Sequence, residues 1–237
     1  MNKLLFLLAF LLAISSCKKT IINDEDIIDR NPLSINEQKN LSPSEIIKSL
    51  EKGNNDFIKS KLTIRNNSDL IRKNSISEFY PQAVILSCID SRIPVEDIFH
   101  KGLGDLYVIR IIGNTVNEDI IGNLEYAYEV AGSKVILVLG HEYCSAIKTN
   151  LQGTHSEKVH SSLKRIDPAV IKAKKIFKSN QSSINPRFID EICKQNVLNS
   201  IKMIRQMSKN LNKLEQENKI KIIGGIYDNR SGKVNFI

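Results

Sequence analysis

Two segments of this chain hold residues whose types can do chemistry together: Cys88-Ile89-Asp90-Ser91-Arg92 and His141-Glu142-Tyr143-Cys144. They supply two thiolates and an imidazole, the soft sulfur and borderline nitrogen donors that a tetrahedral zinc ion accepts. Three protein ligands with one exchangeable position make a catalytic zinc rather than a structural one. Such an ion lowers the pKa of bound water toward neutrality and makes hydroxide available, and carbon dioxide is the simplest electrophile for it. Two thiolates cancel the formal charge of the ion, so acidification should be weaker than with three neutral imidazoles. Hydration should therefore improve toward alkaline pH. Asp90 and Arg92 add a carboxylate and a guanidinium beside the metal.

The competing readings are a Cys88–Cys144 disulfide in an exported protein and an ordinary surface ion pair between Asp90 and Arg92. A disulfide has no use for the company of Asp90, Arg92 and His141, so the set as a whole favours zinc. His100, His155 and His160 match no ligand position and read as surface residues. Cys193, in a helical stretch, reads as a small buried hydrophobe. Gly102-Leu103-Gly104 carries no third glycine, Tyr107 standing in its place, so no nucleotide cofactor is expected.

The elements that must position these ligands are apolar runs at 83–86, ahead of Cys88, and at 135–140, ahead of His141. Both predict buried parallel strands of an α/β fold: an open, mostly parallel sheet flanked by helices. Ligands leaving the carboxyl ends of neighbouring strands converge where such sheets bind substrates. Gly140 is expected to permit the turn after the second run, and the three-residue spacing from His141 to Cys144 aims both at one metal.

Elsewhere, Ser42-Pro43 with Glu45 predicts a capped helix, an N-terminal helical arm that Gly53 briefly breaks. Pro94 opens a short helix, 106–112 is a strand, and Asn117 caps an amphipathic helix closed by Gly132. Asp167-Pro168 predicts a further N-cap, 187–214 one long helix or two short ones, and 221–237 a C-terminal antiparallel hairpin at the sheet edge.

With 237 residues, 41% of them hydrophobic, the chain suits one α/β domain with short extras. The formal charge of +8 is spread rather than gathered, aromatics are 6%, and no recognition motif is present, so no nucleic-acid partner is expected. Lys3 followed by the apolar run 4–13 has the form of a signal peptide. Ile14-Ser15-Ser16-Cys17 resembles a bacterial lipoprotein signal, in which the cysteine is lipidated and becomes the first mature residue. The resulting organisation is a signal peptide at 1–16, lipidated Cys17 with a flexible tether at 17–40, and a catalytic domain at 41–237. The expected location is outside the cytoplasm, lipid-anchored to a bacterial cell membrane and facing periplasm or exterior.

Taken together the motifs resemble the β-class carbonic anhydrases, whose signature is Cys-x-Asp-Ser-Arg followed by His-x-x-Cys. Gly53-Asn54, Ile93-Pro94, Val108-Ile109-Arg110, Glu125-Tyr126-Ala127 and Gly225-Ile226-Tyr227-Asp228 extend the resemblance over about residues 45–237. It implies a zinc enzyme interconverting carbon dioxide and bicarbonate, with Cys88, His141 and Cys144 as ligands. It further implies that Asp90 either takes the fourth position or is held away from it by Arg92, and that the chain forms a homodimer or dimer-based assembly. Relatives with this zinc site also hydrolyse carbonyl sulfide or carbon disulfide; a zinc-binding lipoprotein without catalysis is the other alternative. Ser145 departs from the glycine usual after the last zinc cysteine, which would matter if that position needed positive φ. The chain also lacks the tryptophan that bicarbonate-regulated members use, which implies that this regulation is absent.

Overall fold

The computed structural model describes residues 32–59, 68–76, 79–153 and 155–237, and the backbone of 27–28 and 64–65. The signal-peptide reading and Cys17 lie outside the described residues. Strands β1 (Ile27–Ile28) and β2 (Ile64–Arg65) form a small parallel pair.

Helices α1 (Ile35–Asn40) and α2 (Pro43–Ile58) each start at a capping box, Ser34 with Glu37 and Ser42 with Glu45. In each, serine and glutamate satisfy two backbone donors reciprocally. Helix α1 corrects the reading of 17–40 as tether throughout. Its Gln38 is buried and donates from Nε2 to the carbonyls of Pro81 (2.8 Å) and Ala131 (2.6 Å). Lys134 Nζ meanwhile donates to the carbonyls of Gln38, Lys39 and Leu41 at the end of that helix.

Helix α2 runs unbroken through Gly53, contrary to the expected interruption. A Cβ there would lie 1.9 Å from the Phe99 carbonyl oxygen, so the glycine serves close backbone approach, not chain breaking. Next to it, buried Asn54 donates to the carbonyls of Ile98 and Gly232 and accepts from the Val234 amide (2.8 Å). One asparagine thus ties the helical arm to the C-terminal hairpin.

The chain continues through α3 (Asp69–Asn74), β3 (Ala83–Cys88), α4 (Val95–Ile98), β4 (Leu106–Ile111), α5 (Glu118–Glu129) and β5 (Val135–His141). Then follow α6 (Ser145–Gln152), α7 (Glu157–Leu163), α8 (Asp167–Ile176), α9 (Pro186–Met207), α10 (Lys209–Gln216), β6 (Lys221–Tyr227) and β7 (Val234–Phe236). Asn117 caps α5 as expected, accepting from the Ile120 amide at 2.9 Å. Asp167 does not cap α8, because a 3-10 turn over Lys164–Ile166 feeds straight into it; its carboxylate accepts from Asn150 instead, at 3.0 Å. The stretch 187–214 resolves into two helices at Ser208, whose hydroxyl caps α10 through the Leu211 amide.

The main sheet has the order β4-β3-β5-β6-β7, with all neighbours parallel except antiparallel β7. Val84, Leu86, Ile136 and Val138 face α5, α9 and α10 through Leu124, Val197, Ile201 and Leu211. Their sequence neighbours Ala83, Ile85, Leu137 and Leu139 face α2 and α4 through Ile46, Leu50 and Ile98. Both faces are therefore covered, which is why the strands read as continuous apolar runs rather than alternating ones. The chain leaves β3 toward β4 on one side and later returns as β5 on the other. The carboxyl ends of β3 and β5 therefore flank a topological switch point.

Candidate metal centre

Cys88 ends β3 and His141 ends β5, and these strands pair directly. Cys144 follows a tight turn and stands as the N-cap of α6. The Cys88 and Cys144 sulfurs and an imidazole nitrogen of His141 all lie within 4.8 Å of one another, and all three residues are buried. The cysteines are free, so the disulfide alternative is not what the fold builds.

The imidazole supplies its own test of metal fit. His141 Nδ1 lies 2.9 Å from the Glu142 carbonyl, which can only accept, so Nδ1 carries the proton. That tautomer leaves a lone pair on Nε2, a buried atom without a hydrogen-bond partner. A buried acceptor left bare beside two cysteine sulfurs is costly unless an electrophile occupies the gap. A divalent zinc fits this donor set, with the Nδ1 bond to a backbone carbonyl as the usual orienting partner of a ligating histidine.

The sulfurs are prepared in the same sense. Hydrogen bonding from Cys144 holds the Cys88 thiol down to about 4 against the opposing effect of burial, aided by the Asp90 and Gly113 amides. Cys144 is pushed up by its hydrogen bond with Cys88, by burial and by the nearby Cys88 charge. A metal held by these sulfurs would favour their deprotonated form. Cys193, the third buried cysteine, lies beneath the site in α9, where burial pushes its thiol up to about 12. It is a core residue, as the sequence suggested.

Asp90 is turned toward Arg92 rather than into the three-residue set. Arg92 Nε donates to Oδ1 (2.9 Å) and Nη2 to Oδ2 (2.7 Å), a two-pronged contact, while the Arg92 amide also donates to Oδ1 at 3.0 Å. This hydrogen bonding draws the Asp90 carboxyl down to about 2. Asp90 Oδ2 nevertheless lies 3.9 Å from His141 Nε2, so the carboxylate borders the metal position without pointing its lone pairs exclusively there.

Several residues that hold this geometry were not assigned roles from the sequence. Arg110 on β4 donates from Nε to the Cys88 carbonyl (3.0 Å) and from Nη2 to the Asp90 carbonyl, fixing the loop between ligand and carboxylate. Asn196 on α9 donates to the Gly113 carbonyl (2.7 Å), steadying the turn whose amide faces Cys88. The turn between His141 and Cys144 is made at Tyr143, with φ 53°, not at Gly140 as expected. Gly140 lies inside β5, where a Cβ would meet Val197 at 2.6 Å and Cys193 at 2.8 Å. Ser145 begins α6 without positive φ, so the missing glycine costs the backbone nothing.

A mostly parallel sheet with helices on both faces thus places a Cys–His–Cys cluster able to hold a metal ion at a switch point. The family model described as carbonic anhydrase matches residues 83–234. The carbonic anhydrase of Mycolicibacterium smegmatis is 29% identical over 162 residues, 66% of this chain and 78% of that protein. The solved β-carbonic anhydrase CcaA superposes with a TM-score of 0.64 at 22% identity, covering 82% of this chain and 98% of the other. One of two tetrameric β-carbonic anhydrases from Sordaria macrospora gives a TM-score of 0.62 at 20% identity, over 68% and 82% of the two chains. The chain belongs to the carbonic anhydrase family.

Proposed function

We propose that this protein catalyses the reversible hydration of carbon dioxide to bicarbonate and a proton, with zinc held by Cys88, His141 and Cys144. The observation that carries the reading is the bare, buried Nε2 of His141 between two free cysteines, beside a carboxylate gripped by Arg92. When bound, the zinc supplies Lewis acidity toward water at its open position.

The chain's own residues do the rest. Arg92 holds both oxygens of Asp90 and so keeps the carboxylate from closing the fourth position. Asp90, drawn down to about 2, stays ionised at any working pH. Its role is to accept and orient a hydrogen bond, since so weak a base does not retain a proton. Arg92 Nη2 also donates to the Tyr143 carbonyl (3.2 Å), joining the two ligand loops.

The protein assembles as a homodimer or a dimer-based oligomer. Strand β4 ends the sheet order, and Tyr107, Val108 and Ile109 on it are only half-buried, an edge suited to cover by a second copy. Cys17 is the lipidation site that anchors the exported protein to the membrane. Among the described residues no helix is long and apolar enough to cross a membrane. Metabolic labelling with a radioactive fatty acid, lost in Cys17→Ser, tests the anchor. Zinc content and stopped-flow carbon dioxide hydration on one preparation test the activity, with Cys88→Ser as control. A zinc-loaded protein without hydration activity refutes it.

A further inference from the structure

The C-terminal hairpin reaches back to the metal centre, and one of its side chains has no other task. The Glu142 carbonyl that accepts from His141 Nδ1 also accepts from Asn229 Nδ2, both at 2.9 Å. A carbonyl oxygen has two lone pairs, and here both are used. Because that oxygen can only accept, the amide of Asn229 must face it with its nitrogen. Its own Oδ1 is then left buried without a hydrogen-bond partner. The bond to Glu142 is therefore what sets this side chain's orientation.

The hairpin turn itself does not need Asn229. It is closed by the Asp228 amide to the Lys233 carbonyl and the Gly232 amide to the Asp228 carbonyl, each at 2.9 Å. The Asp228 carboxylate adds bonds from the Arg230 amide (2.8 Å) and the Ser231 hydroxyl (2.7 Å). What Asn229 steadies instead is the peptide leading into Tyr143, whose left-handed φ of 53° makes the turn from His141 to Cys144. Arg230 supports the same segment from outside, lying over the Tyr143 ring at 5.2 Å.

We infer that Asn229 is a positioning residue for the ligating histidine, acting through the Glu142 carbonyl to fix the imidazole's tautomer and direction. The inference rests on the zinc-ligand reading above. Removing a partner in the outer shell of a metal site typically costs about 10–100-fold in metal affinity. Asn229 acts one bond further out, so the low end, about tenfold, is expected.

The test is zinc affinity by competition with a chromophoric chelator, together with the visible spectrum of the cobalt(II)-substituted protein. Asn229→Asp keeps the shape and removes the donor; Asn229→Leu removes both polar atoms. Both should bind zinc about tenfold more weakly and show altered cobalt ligand-field bands. Ser231→Ala, which loosens the same turn without a contact to the Glu142 carbonyl, should leave both readouts at wild-type values. Wild-type affinity and spectrum in the Asn229 variants overturn the inference, and so does an equal loss in Ser231→Ala, which would make the effect one of hairpin stability. Wild-type protein that binds no zinc instead overturns the ligand reading itself, and this inference with it.

Discussion

Arg92→Ala isolates the contact that, in the function proposed, separates an open site from a closed one. It removes the Nε–Oδ1 and Nη2–Oδ2 bonds of 2.9 and 2.7 Å and leaves only the Arg92 amide at 3.0 Å on the carboxylate. Hydrogen bonds to charged groups contribute about 1.5–3 kcal/mol when shielded. The Asp90 side chain is 7% exposed but that of Arg92 is 52% exposed, so water screens the pair. A realistic value for the fork is about 1–2 kcal/mol. At about 1.4 kcal/mol per factor of ten, the Arg-facing arrangement of Asp90 loses about 5–30-fold in relative population. The freed carboxylate has a short path inward, because Oδ2 already lies 3.9 Å from His141 Nε2. The expected result is a reduced kcat/KM for carbon dioxide hydration, by stopped flow, with about 30-fold as the upper bound, at unchanged zinc content. Arg92→Lys, which keeps the charge without the fork, should fall between. A zinc-loaded Arg92→Ala protein with the wild-type rate refutes the reasoning. Loss of zinc would show instead that Arg92 holds the ligand loops rather than Asp90.

Acid should reveal the same pair thermodynamically. The folded Asp90 carboxyl is drawn from 3.8 to about 2, so its contribution is complete above the higher value and is lost as pH falls through the lower. In metal-free protein, urea unfolding between pH 5 and 2 should show wild type losing about 1 kcal/mol more than Arg92→Ala, after allowance for the exposed guanidinium. Equal slopes would refute this. Gly53→Ala should destabilise by about 3 kcal/mol or more, since the clash is with a backbone carbonyl. Gly140→Ala should cost about 1–3 kcal/mol, because Val197 and Cys193 are side chains that can shift. Chemical denaturation measures both, and a neutral Gly53→Ala would contradict the packing described. Chelation of zinc should lower the melting temperature by on the order of 10 °C, from about 4 kcal/mol of linkage at a thousandfold excess over Kd. Zinc added back should restore it, and an unchanged melting temperature counts against a resident metal.

What the amino-acid sequence discloses about this site depends on how local the physics is. Cys88 and His141 are legible because each closes an apolar strand, and a strand end next to another strand end leaves little choice of where they meet. The Ser42 capping box is legible for the same reason, its partner being three residues away. Gly53 and Gly140 are not legible in this way, because a glycine that serves close approach looks like one that serves a turn. The difference lies in Phe99 and Val197, far along the chain. Gln38 sat in a polar stretch that reads as tether, yet its amide bridges carbonyls at Pro81 and Ala131 and so makes that stretch part of the fold.

The least legible part is the frame around the Cys–His–Cys cluster. Arg110, Asn196 and Asn229 each act on a backbone carbonyl of a distant segment, and carbonyls carry no sequence identity. Tyr143 shows why such a frame is needed. A bulky residue at φ 53° breaks the local rule that would reserve the position for glycine or asparagine, at a cost of about 1–2 kcal/mol. The conformation persists because neighbours over-determine it: Asp190 accepts from the Tyr143 amide at 3.4 Å, Arg92 donates to its carbonyl, and Arg230 covers its ring. Strain held in this way at the step between His141 and Cys144 trades local stability for a fixed angle between imidazole and thiol. Which side chains are able to bind a metal can therefore be read from residue type, whereas the direction in which they point is a property of the folded whole.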